Sequence, residues 1–277
     1  NKVAQKIDSK RNKDGIIIHT DPKDYEGMRN AGKLAAECLD YITPYVDVGV
    51  TTEYLDDLCR RFIQSHGAIP ACLGYHGYPK STCISINHEI CHGIPSPERK
   101  LLNGDMLNID VTVILDGWFG DTSRMYFAGK PSVKAKRLCE VTYECMMRGI
   151  EAVRPGAHFG DIGAVIEEIA HHYGYSVVDM FCGHGLGRIF HDEPNVMHCG
   201  KKGTGPQLEE GMFFTIEPMI NFGKKEASIL ANEWTAVTKD RSLSAQFEHS
   251  LAVTKDGFEV FTYSPAGLDQ PPYKKQG

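Results

Sequence analysis

No apolar run in these 277 residues approaches the roughly 20 that a membrane-crossing helix needs, so a spanning helix is excluded. An excess of basic charge is missing too. Thirty lysines and arginines against 36 acidic residues leave a net charge of −6, which argues against nucleic acid as the main partner. The nine cysteines contain no C-x-x-C pair. An odd number without paired spacing reads as reduced thiols in a cytoplasmic protein, not as a disulfide framework. The opening NKVAQKIDSKRNKDG has no signal-peptide core. What remains is 42% hydrophobic and 24% charged, ordinary for a globular chain long enough for one large domain or two small ones.

Helical periodicity begins after Thr20-Asp21-Pro22, with Met28, Ala31, Ala35, Cys38, Leu39 and Ile42 on one face. A second helix opens at Thr51-Thr52 and buries Leu55, Leu58, Cys59, Phe62 and Ile63. Strands are expected over 82–86, 106–114 and 119–127, then helices near 132–153 and 159–173. Further strands are expected near 176–182, 212–222, 234–238 and 248–254. The order helix, helix, strands therefore occurs twice. A constant offset of 107 relates Gly49 to Gly156, Gly67 to Gly174, Gly104 to Gly211, Cys38 to Cys145 and Asp110 to Glu217. That is too long for a solenoid repeat and fits a duplicated α+β half. We expect an arm over 1–14, one catalytic domain over 15–265 with half-repeats near 20–127 and 130–262, and a frayed tail over 266–277.

Five side chains stand out against this apolar pattern: Asp110, Asp121, His184, Glu217 and Glu248. Buried carboxylates are costly unless paired. An oxygen-rich set with one nitrogen suits a hard or borderline divalent cation. Asp116-Gly117 signals a two-residue hairpin. Its register pairs Leu115 with Trp118 and Thr112 with Asp121. Asp110 and Asp121 then share a face as diagonal neighbours, roughly 7–8 Å apart, and repel unless a cation lies between them. The competing reading is a solvated face carrying two aspartates.

CLGYHGYPKSTCISINHEICHGIP, NIDVTVILDGWFGDTSRM, CGHGLGR, FTIEPM and DRSLSAQFEH closely resemble type I methionine aminopeptidases. The likeness runs from about residue 20 to 262. It implies the α+β pita-bread fold, two pseudo-twofold halves around a dinuclear metal site. Type II members carry a helical insertion for which the 26 positions between His191 and Glu217 leave no room. By resemblance, Asp110 chelates one of two divalent ions (cobalt, manganese, iron, zinc or nickel). Asp121 and Glu248 bridge both ions, and His184 and Glu217 complete the coordination of the other ion. His92 and His191 contact the substrate peptide. Cys72, Tyr75, His76, Tyr78, Cys83, Phe190 and Trp234 line the methionine pocket.

The implied reaction removes an N-terminal methionine, preferably before a small residue, from nascent proteins and peptides. A metal-bound hydroxide attacks the scissile carbonyl, and Glu217 relays the proton. The resemblance further implies a cytoplasmic monomer working near the ribosome, although no sequence feature defines a ribosome contact. Two rivals remain. A proline-specific peptidase of the same fold would keep the ligands and change the pocket. A non-catalytic relative would have lost ligands, and all five are present.

Overall fold

The computed structural model describes residues 10–273. Residues 10–18 fold back on themselves through an Arg11↔Ile17 bridge, and Arg11 reaches Asp192 at 3.2 Å. The segment 1–9 of the expected arm lies outside the described residues. Helix α1 (Pro22–Ile42) starts where Asp21 accepts from the Lys23 N–H and Pro22 occupies the first turn. Helix α2 (Thr52–Ser65) is capped by Thr51 accepting from the Tyr54 N–H. The first half continues through β1 (Ile69–Pro70), β2 (Thr82–Ile86), β3 (Glu89–Cys91), β4 (Met106–Leu115) and β5 (Trp118–Phe127). Helices α3 (Val133–Glu151) and α4 (Phe159–His172) follow. The chain then forms β6 (Ser176–Val177), β7 (Gly183–Gly185), β8 (Asp192–Val196), β9 (Phe213–Ile216) and β10 (Met219–Asn221). It ends with β11 (Ala227–Ile229), β12 (Ala236–Thr238), β13 (Ser244–Gln246), β14 (His249–Thr254) and β15 (Gly257–Val260). No described helix is long and apolar enough to cross a membrane.

Strand β4 pairs with β1 and β2 along one edge and with β5 along the other. Strands β15, β14, β9, β7 and β8 form a second sheet in that order. One apolar core packs α1 and α2 on the first sheet, through Leu39, Leu55, Ile63, Ile109 and Val111. Another packs α3 and α4 on the second, through Leu138, Ile162, Ile166, Phe214 and Leu251. A bridge between Ser123 and Glu248, with N–H···O distances of 3.2 Å in both directions, joins the two sheets.

The 107-residue offset reappears as matched geometry. Gly67 and Gly174 end α2 and α4 at φ 74° and 79°. The next residues, Ala68 and Tyr175, donate back to Ile63 and Ala170, as in a glycine-stopped helix. Gly104 and Gly211 share φ values of 92° and 95°. The Cys38 thiol points at the Cys59 carbonyl at 3.9 Å, and the Cys145 thiol at the Ile166 carbonyl at 3.7 Å. All nine cysteines are free.

Two expected strands are shorter than their apolar pattern. Of the 176–182 segment, Ser176–Val177 forms a strand, and the Val178 N–H adds one bond to the Met219 carbonyl. The 212–222 run splits into β9 and β10, which belong to different sheets. Pro218 has no N–H to continue a ladder, and the chain changes sheets at Glu217-Pro218. In the tail, the Tyr273 hydroxyl donates to the Met125 carbonyl at 2.8 Å and its ring lies on Tyr126. Residues 274–277 lie outside the described residues.

Candidate active site

The β4–β5 hairpin turns at Asp116 and Gly117, both with positive φ (50° and 81°), as a tight turn between twisted strands requires. Its register places Leu115 opposite Trp118 and Thr112 opposite Asp121, with Asp110 opposite Ser123. Asp121 is buried and accepts from the Thr112 hydroxyl at 2.9 Å. Asp110 is half-buried, and its Oδ1 has no partner.

The second half brings up the rest. His184 lies on β7, Glu217 one residue beyond β9, and Glu248 one residue before β14. The Ser123↔Glu248 bridge sets Glu248 beside the hairpin. The His184 Nε2 stands 3.2 Å from Asp121, 3.8 Å from Glu217 and 4.0 Å from Glu248. Ligand atoms of these four residues all fall within 4.8 Å of one another. Asp110 is outside that set of four, although its carboxyl is close enough to Asp121 to be perturbed by it.

Buried like charges distort the protonation of the cluster. Desolvation, then Asp121, hold the Asp110 carboxyl well above the usual range. Desolvation pushes Glu217 up to about 8 against the opposing pull of His184. For His184, burial favours the neutral ring, but Asp121 and Glu217 together raise it to about 9. These are the marks of carboxylates gathered without a counter-charge. Both oxygens of Glu248, 1% exposed, lack any hydrogen-bond partner among the described residues. A native fold rarely leaves such atoms unsatisfied. His184 Nδ1 lies 3.0 Å from the Gly185 carbonyl. Donation there leaves Nε2 as a lone pair facing the carboxylates, the tautomer of a metal-ligating imidazole. The residues therefore fit a divalent cation.

Around the cluster stand the other residues singled out in the sequence. His191 packs against His184 with ring centroids 4.3 Å apart and stacks on Phe190 at 4.0 Å. Its Nδ1 is 2.9 Å from the Tyr75 hydroxyl. His92 has a positive φ of 59°, and its ring meets Phe181 edge-on. Desolvation lowers the pKa of both histidines, with His184 adding to the effect at His191. The strand register sets Cys83 directly opposite Asp110, so the wall expected to line a pocket adjoins the gathered carboxylates. The neighbouring Cys83 thiol, with burial, holds the Cys72 thiol well above its usual range. Tyr78 is buried with its hydroxyl on the Thr82 and Gly93 carbonyls, and Trp234 meets its ring edge-on at 5.0 Å. Tyr75 contacts Phe190 at 4.8 Å. His76 lies beside Tyr75 but is exposed.

Three residues around Glu217 were not anticipated. The Thr215 hydroxyl accepts from the His184 N–H and donates to the Glu217 carboxylate. His198 accepts from the Glu217 N–H, and Gln246 donates to the Glu217 carbonyl. Thr215 and Gln246 read as ordinary strand residues. His198 falls in an aperiodic stretch, where a lone histidine gives no signal.

A family model described as metallopeptidase family M24 matches residues 26–255. The methionine aminopeptidase of Rickettsia prowazekii is 60% identical over 259 residues, covering 93% of this chain and 99% of that protein. The methionine aminopeptidase of Escherichia coli K12 is 52% identical over 248 residues, or 89% of this chain and 94% of that one. The crystal structure of the Rickettsia protein matches with a TM-score of 0.88 at 59% identity, over 90% of this chain and 100% of that chain. A prolidase from Pyrococcus furiosus matches at TM-score 0.69 and 22% identity, over 89% of this chain and 65% of that chain. That second likeness shows a shared fold alone. The pita-bread architecture and the gathered carboxylates are thus those of a known hydrolase lineage, and the chain belongs to metallopeptidase family M24.

Proposed function

We propose that the protein is a methionine aminopeptidase, hydrolysing the peptide bond after an N-terminal methionine. The observation that carries this is a juxtaposition: Cys83 pairs directly with Asp110, beside the carboxylate–histidine cluster, and the Tyr75, Phe190 and His191 rings pack together next to His184. Aromatic edges and thiols complement a flexible, polarizable thioether. The high identity to methionine aminopeptidases supports the same reading.

Asp110, Asp121, His184, Glu217 and Glu248 would hold two divalent ions. Four carboxylates carry four formal negative charges, which two such ions balance. Bound there, the ions supply a nucleophile at neutral pH and polarise the scissile carbonyl. The pocket residues Cys72, Cys83, Tyr75, Tyr78, Phe190 and Trp234 seat the side chain, so that the bond to be cut faces the cluster. With the Tyr75 hydroxyl donating to Nδ1, His191 keeps its proton on Nε2 and donates it to the carbonyl oxygen as negative charge develops. His92 holds the peptide beyond the scissile bond. Glu217 takes the proton of the attacking water and delivers it to the leaving nitrogen. Nascent chains beginning with methionine are the natural substrates under this reading.

The test uses protein stripped of metal and titrated with manganese, cobalt, iron, zinc or nickel. Free methionine should appear from a Met-Gly-Xaa peptide and saturate at roughly one to two metal equivalents. Cleavage of Xaa-Pro peptides instead would move the assignment to a proline-specific enzyme.

A further inference from the structure

The chain crosses between sheets at Glu217. Strand β9 ends at Ile216, paired with His249, and β10 begins at Met219, paired with Gln246 of another sheet. The Glu217 peptide groups therefore belong to neither ladder, and Pro218 offers no donor to extend one. A backbone left loose there would let the carboxylate wander by more than a catalytic geometry tolerates. Two buried side chains take the place of the missing strand partners. His198, 1% exposed, accepts from the Glu217 N–H through Nε2 at 3.0 Å. Gln246, 4% exposed, donates from Nε2 to the Glu217 carbonyl at 3.1 Å.

We propose that His198 is a positioning residue for Glu217, fixing from the backbone side the carboxylate that serves as metal ligand and proton carrier. Accepting through Nε2 commits the neutral ring to carry its proton on Nδ1, and that atom is buried without a partner among the described residues. Burying such a polar ring costs more than filling the space with an apolar side chain. The acceptor facing Glu217 is what the residue contributes. Thr215 completes the clamp, linking the Glu217 carboxylate to the His184 backbone, so the two ligands are held in one hydrogen-bonded frame. His198 meets the backbone of Glu217 and acts through it. This inference rests on the role given to Glu217 under the proposed function.

Three variants separate positioning from packing. His198→Gln keeps an acceptor at the reach of Nε2. His198→Asn is polar but too short to reach the Glu217 N–H. His198→Leu fills the space without an acceptor. Manganese binding to each metal-free protein is measured by calorimetry, alongside kcat and KM on a Met-Gly-Xaa peptide and the melting temperature. We expect Asn and Leu to bind manganese about tenfold or more weaker, and to lower kcat with little change in KM. Gln should restore both. A residue that only fills space would change the melting temperature without separating Gln from the other two in manganese affinity, and that result overturns the proposal. If Leu does not fold, the Gln–Asn comparison decides alone. Wild-type protein that binds no manganese would overturn the reading of the site, and this inference with it. Wild-type protein that binds and cleaves normally, beside an Asn variant that does the same, overturns the inference alone.

Discussion

Asp121 is held under two opposed demands. Its carboxylate is buried, and ligand atoms of Glu217 and Glu248 lie within 4.8 Å of its own. Without a cation this arrangement is repulsive, and desolvation makes the repulsion stronger. Function therefore costs stability at this position. Asp121→Asn removes one like charge and keeps the shape, including an oxygen for the Thr112 hydroxyl. Because the variant also gives up the charge on its His184 contact at 3.2 Å, the metal-free variant should melt within about 2–4 °C of metal-free wild type, the shift that roughly 1 kcal/mol produces in a chain of this size. Its metal affinity and methionine release should both fall by about 10²-fold or more. Calorimetry, a melting curve in chelator and a peptide assay check the three parts. His191→Ala should behave differently: metal content stays near normal while kcat drops about 10²–10³-fold, the scale of losing one oxyanion donor. The gathered residues Asp121, His184, Glu217 and Glu248 were legible in the sequence because charged residues inside apolar strands violate a strong expectation. His198 was not, because its contribution is an acceptor aimed at one backbone N–H, and no residue pattern encodes that.

At the scale of elements, close approach decides more than propensity. Gly32 sits inside α1, where alanine is the better helix former by about 1 kcal/mol. A Cβ there would lie 2.3 Å from the Phe261 carbonyl oxygen, a backbone atom with little freedom to yield. Gly120 on β5 meets α1 in the same way, its added Cβ falling 2.3 Å from the Ala31 carbonyl. The helix thus lies against the sheet and the C-terminal segment at distances only glycine allows. Overpacking of this kind costs about 1–3 kcal/mol, more than the propensity gain. Gly32→Ala should lower the denaturant midpoint, and a rise would show that α1 can move away from Phe261. The hairpin register was readable because Asp116-Gly117 dictates one turn. The break at Glu217-Pro218 was not, because β9 and β10 are both apolar and read as one run. Only tertiary pairing shows that they serve different sheets.

Across the whole molecule, the site is where two similar halves meet. The offset of 107 was visible in the sequence through glycines, whose positive φ recurs in matched pairs. How the halves face each other was hidden, since it depends on tertiary contacts such as Ser123 with Glu248, Ser250 with Asp121 and Asn108 with Gln246. Asp110 and Asp121 come from the first half, and His184, Glu217 and Glu248 from the second, so ions bound among them would tie the halves together. Binding at a free metal concentration near a hundred times Kd adds about 2.7 kcal/mol to stability wherever the metal sits. The location of that gain is the informative quantity. Without metal, repulsion among the carboxylates is centred near the Ser123–Glu248 bridge and offset in part by His184 at 3.2 Å from Asp121, whereas Leu55 and Ile166 belong to separate apolar cores. Hydrogen exchange should therefore slow most on adding manganese at the Ser123 and Glu248 amides. Those of Leu55 and Ile166 should change only as far as global unfolding requires. Equal slowing everywhere would mean that metal raises stability without bearing on the junction. The halves would then be joined by packing alone.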